Sequence, residues 1–323
     1  MSKVIGIDIS KQTFDVSFLN ENQKWQFKKF TNDKNGFNKL KKHLEKDSIV
    51  VMEASGPYYM SLATYLHTKS YKVSVVNPLK IKRYSQMRMI RAKTDKKDAQ
   101  TIAQYGEQFQ EELSFWKPDS DAIYKMRQAQ TLLDTYNKHL TAYKNQLEAF
   151  KSSSVMGAEV KLSINKIIRN LTNEIKKMNL KIEEIARSNY EDTLLLLQSI
   201  PGIGNKTAIA LIVLTNNFEN FTNYKQLIAY IGFSPRIYQS GTSVNGKGHI
   251  CKMGNGRIRK LLYLCSWAAK RYNKAAINMY ERLKEKGKPE RVIKVAIANK
   301  LIKQAFAIVK SKKMYDENFL ALS

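Results

Sequence analysis

Cysteine and histidine are scarce in this chain. Its 323 residues include two cysteines, Cys251 and Cys265, and four histidines scattered along the sequence. Two isolated cysteines make neither a disulfide framework nor a CxxC pair, and scattered histidines give a zinc site too few ligands. We therefore expect a protein of a reducing compartment, the cytoplasm, that does not depend on disulfides or zinc.

Long apolar runs are missing as well. No stretch approaches the roughly 18 apolar residues of a membrane-spanning helix. Residues 1–3 lead straight into a short β-like run, so we expect neither a signal peptide nor a membrane partner. Hydrophobic residues still make up 43% of the chain, which is enough for real cores. The length allows two domains and a connector, since domains usually run about 100–200 residues.

Acidic residues are outnumbered two to one. The chain carries 55 Lys and Arg against 28 Asp and Glu, a net charge of +27. Such an excess repels itself in a folded protein and is usually retained to meet a polyanion. Nucleic acid is the first candidate partner and an anionic membrane surface the second. Residues 247–313 contain 19 Lys and Arg against three Asp and Glu, so more than half of the excess lies there.

The first third of the chain alternates strand and helix signals. Residues 3–8 form a short apolar run, and residues 13–19 and 25–31 alternate like two further strands. A helix near 34–44, a strand at 48–53, a helix at 58–69 and a strand at 72–76 follow. Three antiparallel strands followed by strands alternating with helices indicate an RNase H-like α/β sheet, which we predict for residues 1–115.

A heptad pattern follows, in residues 116–189. Met126, Leu133, Leu140 and Leu147 lie seven residues apart, and the pattern resumes between residues 164 and 185 after a break near 152–157. Such spacing favours an antiparallel coiled coil of two helices, or an oligomer seam. The alternative is a pair of helices packed on a globular core. Residues 190–323 are predicted to form a third, mostly helical domain.

Four acidic residues stand where they can meet. Asp8 and Glu53 end two buried strands, and Asp95 and Asp98 share one helical face, with Thr94 or Asp95 as the cap. Taken alone, each acid is explained as a helix cap or a surface group. Glu53 is the exception, because an acid at the end of a buried apolar strand is energetically costly unless it has a function or a partner. Together they would repel strongly unless divalent cations lay between them. Mg²⁺ binds carboxylates and phosphate oxygens, and two such ions clamp the oxygens of a phosphodiester exchange.

Three acidic motifs resemble those of a known family. They are GIDISK at residues 6–11, EASG at 53–56 and KTDKKDA at 93–99. They are similar to the motifs of the IS one-ten family of insertion-sequence transposases, relatives of the Piv/MooV invertases with a RuvC-like domain. The resemblance implies that Asp8, Glu53, Asp95 and Asp98 form a catalytic set that binds Mg²⁺.

A turn at residues 199–204 opens the third domain. The sequence Ser-Ile-Pro-Gly-Ile-Gly before Lys206 and a helix predicts a helix-hairpin-helix-like turn. Its glycines would let backbone N–H groups approach a phosphate at a helix N-terminus. Pro-Gly also marks an ordinary turn, and that alternative stays open.

A polar, glycine-rich stretch at residues 239–248 is predicted to be a loop. A serine in such a loop is normally a turn residue. GFSP at 232–235, Ser240-Gly241 and KMGN at 252–255 resemble the C-terminal domain of the same family, where a serine attacks DNA and forms a phosphoserine link. The resemblance implies that Ser240 is the nucleophile, with Ser243 as its rival. One departure is Cys251, where the family often has serine.

Basic residues near both motifs are candidates for phosphate contact. Their alternative role is a solvated helix face. The residues that we predict to bind nucleic acid are Lys80, Lys82, Arg83, Arg88, Arg91, Lys93, Lys206, Lys252, Arg257 and Arg259.

The sequence therefore predicts a site-specific DNA transposase that cuts and rejoins donor and target DNA through a serine, assisted by Mg²⁺. The resemblance further implies guidance by a structured RNA, a homo-oligomer (dimer or tetramer) and a composite site shared between protomers. A rival enzyme is a junction resolvase or nuclease that uses the carboxylates alone. A non-enzymatic rival is a basic nucleic-acid-binding protein.

Overall fold

Alternating apolar residues at the start of the chain form a mixed five-stranded sheet. In the computed structural model, which describes residues 3–90, 94–153, 155–236, 239–240, 244–245 and 249–317, these strands belong to the first of two units, residues 1–118 and 119–323. The strands are β1 (Val4–Ile9), β2 (Thr13–Leu19), β3 (Trp25–Thr31), β4 (Ile49–Glu53) and β5 (Lys72–Val76). Their order is β3-β2-β1-β4-β5, with β1 antiparallel to β2 and parallel to β4.

Four helices cover the two faces of this sheet. They are α1 (Lys34–Lys41), α2 (Tyr59–Thr68), α3 (Pro78–Met87) and α4 (Asp95–Gln108). Alternate strand residues pack on opposite sides because side chains alternate across a strand. One core joins Ile5, Ile7 and Val50 to α1 and α2. The other joins Val4 and Val51 to α3 and α4.

The predicted order of strands and helices in this unit is confirmed, with two local differences. Strand β1 continues to Ile9, one residue past Asp8, so Asp8 lies within the strand. Helix α3 was not predicted from the sequence. It begins with Asn77, whose side chain accepts a hydrogen bond from the Leu79 N–H, followed by Pro78 at the first helical position. Both residue types favour a helix start.

Glycine lets α4 approach β1 closely. A Cβ on Gly6 would lie 2.2 Å from the Ala103 nitrogen and 2.3 Å from the Ala99 oxygen. On the helix itself, a Cβ on Gly106 would lie 2.7 Å from the side chains of Val4 and Val51. The backbone of α4 therefore rests directly on β1 and β4, and its N-terminal turn is set beside the end of β1.

The second unit is mostly helical. It contains α5 (Asp121–Lys151), α6 (Ala158–Gln198), α7 (Asn205–Thr215), α8 (Tyr224–Ile231), α9 (Gly256–Tyr272), α10 (Lys274–Glu285) and α11 (Glu290–Ser311). Its core is one cluster in which the apolar side chains of α7 are buried, and α7 packs against α5, α6 and α9.

The heptad segment forms the two long helices α5 and α6, which pack on each other. Met126, Leu133 and Leu147 are buried on α5, and Ile164 and Ile182 on α6. Helix α6 is kinked at Tyr190, whose backbone is not helical and whose hydroxyl lies 2.6 Å from the Ser120 hydroxyl. The coiled coil, the oligomer seam and the three-domain division remain predictions.

The turn between α6 and α7 joins two helices, as the sequence predicts. Gly202 has φ +106°, and a Cβ there would lie 2.8 Å from the Ala269 side chain. This glycine therefore allows close packing against α9, whereas Gly204 faces open space with nothing within 4 Å. A phosphate contact at this turn stays a prediction.

The predicted loop at 239–248 contains short strands. Strands β6 (Pro235–Arg236) and β9 (His249–Ile250) pair antiparallel, as do β7 (Gln239–Ser240) and β8 (Val244–Asn245). The loop assignment was therefore wrong at Ser240, whose backbone pairs with Val244. Two-residue strands are too short for a period of two to be visible in the sequence.

None of the helices in the described residues is long and apolar enough to cross a membrane.

Substitution of Gly6 tests the close approach of α4. We expect Gly6→Ala to lower the free energy of unfolding of the first unit by about 2–3 kcal/mol, because backbone atoms of α4 must move away. Urea unfolding of the full chain, followed by Trp25 and Trp116 fluorescence in a Trp267→Phe background, measures this. Gly157→Ala is the control, because its Cβ would meet only Val160 at 3.6 Å. Equal stabilities for the two variants would contradict the packing argument.

Candidate carboxylate site and basic surface

A row of charged residues crosses three neighbouring strands. The strand register sets Asp8 of β1 opposite Asp15 of β2, and Asp15 opposite Lys29 of β3. Cross-strand partners share a face of the sheet. On the other side, Ile7 is paired with Met52 of β4, so Glu53 follows one residue beyond the last registered pair. The four residues therefore lie along one edge of the face that α4 covers.

Helix α4 brings two further carboxylates to this edge. Thr94 caps the helix by accepting a hydrogen bond from the Lys97 N–H at 3.2 Å, as one of the two predicted caps. Asp95 and Asp98 both lie in the first turn, where the helix dipole favours negative charge. Asp95 is exposed and Asp98 is half-buried. The predicted carboxylates of β1 and α4 are thus brought near each other.

The electrostatics of Asp8 show how closely these acids approach. Burial, and then the negative charges of Asp98, Asp95 and Asp15, raise the pKa of Asp8 to about 6. A backbone hydrogen bond from Ile9 opposes this rise. The side chain of Asp8 therefore lies in a negative potential that is not fully compensated within the protein.

Lys29 compensates part of that potential. Its Nζ lies 3.3 Å from a carboxylate oxygen of Asp15 and 3.7 Å from one of Asp95. The hydrogen bond with Asp15 and the charges of both acids raise the pKa of Lys29. Neither Asp15 nor Lys29 is predicted from the sequence as a site residue, because their place beside Asp8 follows from the strand register. The signal available was an acid at a position of β2 that alternates with buried Phe14 and Val16.

The donor set suits a hard divalent cation. Carboxylate oxygens are the ligands that Mg²⁺ prefers, and the raised pKa of Asp8 indicates that added positive charge would be favourable. Within residues 3–90, 94–153 and the other described segments, no three His, Cys, Asp or Glu side chains are grouped tightly enough to hold a metal ion together. The acids therefore interact through their charges at longer range than metal ligation.

The predicted serine lies in the second unit. The backbone of Ser240 forms part of β7. Ser243, its rival, lies outside the described residues, as do Arg91 and Lys93.

Most of the predicted nucleic-acid contacts are exposed. Lys80, Lys82 and Arg83 lie on the surface of α3, and Arg88 directly follows that helix. Lys206 is exposed in the first turn of α7. Lys252 is exposed too, with a left-handed backbone (φ 59°).

Two predicted contacts are engaged inside the second unit. Arg257 donates to the Gln130 Oε1 at 3.2 Å and lies 3.4 Å from a carboxylate oxygen of Asp134. Arg259 donates to the Ile231 carbonyl at 2.7 Å. The first contact holds α9 against α5, and the second holds α9 against the end of α8. Both arginines therefore have a structural role beside any phosphate contact.

The chain is similar in sequence to known transposases and DNA-inverting proteins. Residues 5–150 match the family model of DEDD transposases, described as a transposase, and residues 194–281 match the transposase IS116/IS110/IS902 family. A pilin gene-inverting protein of Moraxella lacunata is 32% identical over 98% of this chain and 99% of its own length. The corresponding protein of Moraxella bovis is also 32% identical, with the same coverage. The chain belongs to the IS116/IS110/IS902 family of transposases.

The similarity extends to a protein described as a transposase. A transposase for the insertion sequence element IS1111A of Coxiella burnetii is 26% identical over 80% of this chain and 76% of its own length. The family predicted from the motifs is confirmed, and this transposase is an enzyme that recombines DNA.

The charge of Asp8 costs this transposase stability. Because the folded pKa of about 6 lies above the usual value near 3.8, the carboxyl destabilises the folded state as pH rises from about 4 to 6, and remains destabilising above. We expect Asp8→Asn, in EDTA, to raise the free energy of unfolding by about 1–3 kcal/mol at pH 8. At pH 4 the same change should have little effect.

The control for this measurement removes a different carboxylate. Asp33 caps α1 by accepting from the Gly36 N–H, and this hydrogen bond lowers its pKa. Asp33→Asn changes the net charge equally but should not stabilise the fold at pH 8. Equal stabilisation by both variants would trace the effect to net charge rather than to the acids around Asp8.

Proposed function

We propose that this transposase cuts and rejoins DNA through Ser240, assisted by Mg²⁺ held by Asp8, Glu53, Asp95 and Asp98. The observation that carries the proposal is the meeting of β1 and α4 at one sheet edge, where the charges of Asp98 and Asp95 help to raise the pKa of Asp8 to about 6. Such perturbed carboxylates cluster at sites that carry out chemistry. The strand order supports an RNase H-like (RuvC-like) fold for this unit.

Each carboxylate has a defined task in this proposal. Asp8 and Glu53 present oxygens from the sheet, and Asp95 and Asp98 present oxygens from the first turn of α4. Bound metal would stabilise the charge that develops on the attacking and leaving oxygens of the phosphodiester. Lys29 is paired with Asp15 and Asp95 and limits the repulsion between the acids.

The serine step conserves phosphodiester bonds. The Ser240 hydroxyl loses its proton as a bond forms between its oxygen and phosphorus. The bond from phosphorus to a deoxyribose oxygen breaks, and that oxygen takes up a proton. In the return step a hydroxyl of another strand attacks the phosphoserine, and Ser240 regains its proton. The number of phosphodiester bonds is unchanged, so the exchange needs no external energy source.

The partners belong to the same proposal. Donor and target DNA would bind through exposed cations such as Lys82, Arg83 and Lys252. A structured guide RNA, a dimer or tetramer, and a composite site shared between protomers are proposed on the basis of the family resemblance. The net charge of +27 supports binding of more than one nucleic-acid strand.

Removing one carboxylate should separate chemistry from binding. We expect Glu53→Ala to slow strand exchange in Mg²⁺ by at least about 100-fold, because stabilisation of developing charge is worth several kcal/mol. Affinity for DNA should change by less than about twofold. Glu45→Ala is the control, since Glu45 is an acid paired with Lys3 rather than with the site. A Glu53→Ala protein that recombines at the wild-type rate would remove the carboxylates from the mechanism.

The serine assignment is tested by trapping the covalent adduct. We expect Ser240→Ala to abolish the protein–DNA adduct on a nicked substrate, because no phosphoserine can form. Ser243→Ala should only weaken it, and Ser234→Ala, directly before β6, should leave it intact. Mass spectrometry of the wild-type adduct identifies the linked residue. Linkage at Ser243 would transfer the role to that residue.

Two outcomes would replace the proposal with its rivals. DNA cleavage that needs the carboxylates but gives no adduct would favour a junction resolvase or nuclease. Full function in cells without the carboxylates would favour a nucleic-acid-binding protein. Purifying the protein and sequencing the bound RNA tests the guide, and recovery of random RNA alone would leave an unguided transposase.

A further inference from the structure

A polar cavity lies beside the carboxylates in the first unit. Its volume is about 180 Å³. It is lined by Arg88, Ile90, Lys97, Gln100, Thr101 and Gln104. None of these belongs to the proposed catalytic set, and only Arg88 is among the predicted nucleic-acid contacts. We call this cavity the α4 groove.

One face of α4 forms the floor of the groove. Lys97, Gln100, Thr101 and Gln104 follow the spacing of three and four that places residues on one face of a helix. The helix packs on the sheet by its other residues, among them Ala99 and Ala103. Asp98 follows Lys97 directly in the chain, so the groove begins within one helical turn of the carboxylates.

The polar groups in the groove are available for a ligand. Gln100 and Gln104 are half-buried residues, and no hydrogen bond of either side chain is found among the described residues. Arg88 and Lys97 are exposed, and neither takes part in an ion pair in that part of the chain. Only the Thr101 hydroxyl is committed, since it donates to the Lys97 carbonyl at 2.8 Å.

Two cations and two amides in a small cavity suit a particular ligand chemistry. The cations attract a phosphate, and each amide can both donate and accept a hydrogen bond, as a sugar hydroxyl or a base edge requires. The half-buried Ile90 offers apolar contact to a sugar ring. The volume is below the roughly 300–1,000 Å³ of pockets that enclose whole drug-sized ligands. The groove therefore has room for one nucleotide unit of a strand that continues beyond it.

We infer that the α4 groove binds one nucleotide of a nucleic-acid strand, with its phosphate at Arg88 and Lys97 and its sugar or base edge at Gln100 and Gln104. This inference rests on the proposed function and adds a positioning site to it. A strand held there along α4 passes next to Asp98, so the groove sets which phosphodiester meets the carboxylates. Phosphate contacts of this kind fix register without reading sequence.

Binding of labelled single-stranded oligonucleotides in EDTA tests the groove apart from catalysis. We expect Gln100→Ala combined with Gln104→Ala to weaken binding by about 5–30-fold with an unchanged salt dependence, because the lost contacts are uncharged. Arg88→Ala combined with Lys97→Ala should weaken binding and reduce the slope of log affinity against log salt by about 0.7, the value for one phosphate on a single strand.

The control removes two cations from the other side of the sheet. Lys41 and Lys42 are exposed at the end of α1, which packs on the opposite face. Lys41→Ala combined with Lys42→Ala should leave both affinity and slope close to wild type. The thermal stability of every variant shows that a loss of binding is not a loss of folding, and Gln104→Glu, with nearly the same shape, should weaken binding because its charge repels phosphate.

Matched ribo- and deoxyribo-oligonucleotides distinguish the source of the nucleotide. A loss on RNA alone places a 2′-hydroxyl at the amides, and an equal loss on RNA and DNA places a base edge or shared sugar oxygen there. Wild-type affinity of the glutamine variant for both, or a charge variant no weaker than its control, would overturn the inference. A failure of the Ser240 or Glu53 experiments leaves this metal-free binding result unaffected, so the two proposals fail separately.

Discussion

The close packing of α4 on β1 is the contact on which the candidate site depends. Gly6 has no side chain, so the backbone of Ala99 and Ala103 can rest on the strand. This contact fixes the distance of α4 from the sheet and its position along the helix axis. As a result the first turn of the helix, with Asp95 and Asp98, meets the end of the strand that carries Asp8. The carboxylates come from distant parts of the chain. Strand pairing sets Asp8 beside Asp15 and Glu53, and the packing of α4 brings Asp95 and Asp98 to the same end of the sheet.

The same contact explains why the groove and the acids lie on adjacent parts of one helix. A helix held rigidly against a sheet can present different chemistry on adjacent faces. On α4, the residues toward the sheet are small or apolar, the first turn is acidic, and the solvent-facing side carries Lys97, Gln100 and Gln104. Acidic and basic side chains thus lie side by side on one element. This is the arrangement needed to bring a polyanion to a group of carboxylates.

The sequence predicted this unit well wherever a residue pattern had a visible period. The bounds of β2 and β3 follow from the alternation of residues such as Phe14, Val16 and Phe18, and the cap of α4, Thr94, is one of the two residues predicted for it. Sequence patterns did not predict features that depend on weak apolar patterns or on residues distant in the chain. Helix α3 buries only Ile81 and Tyr84, so its apolar pattern is too weak to predict a helix among the surrounding basic residues. The pair Asn77-Pro78 was the available signal for its start. The role of Asp15 depends on which residue faces Asp8 across a turn, and this pairing is not visible before the register is known.

Lys29 gives the acidic edge a property that a dissolved ion could not give it. An ion from solution binds according to its concentration, so its occupancy falls on dilution or dialysis. The ammonium group of Lys29 is joined to β3 by its own side chain, 3.3 Å from Asp15 and 3.7 Å from Asp95. Its effective concentration at these acids is therefore set by covalent structure and does not change with the buffer. The protein therefore carries a counterion for Asp15 and Asp95 whose presence does not depend on the ions in solution.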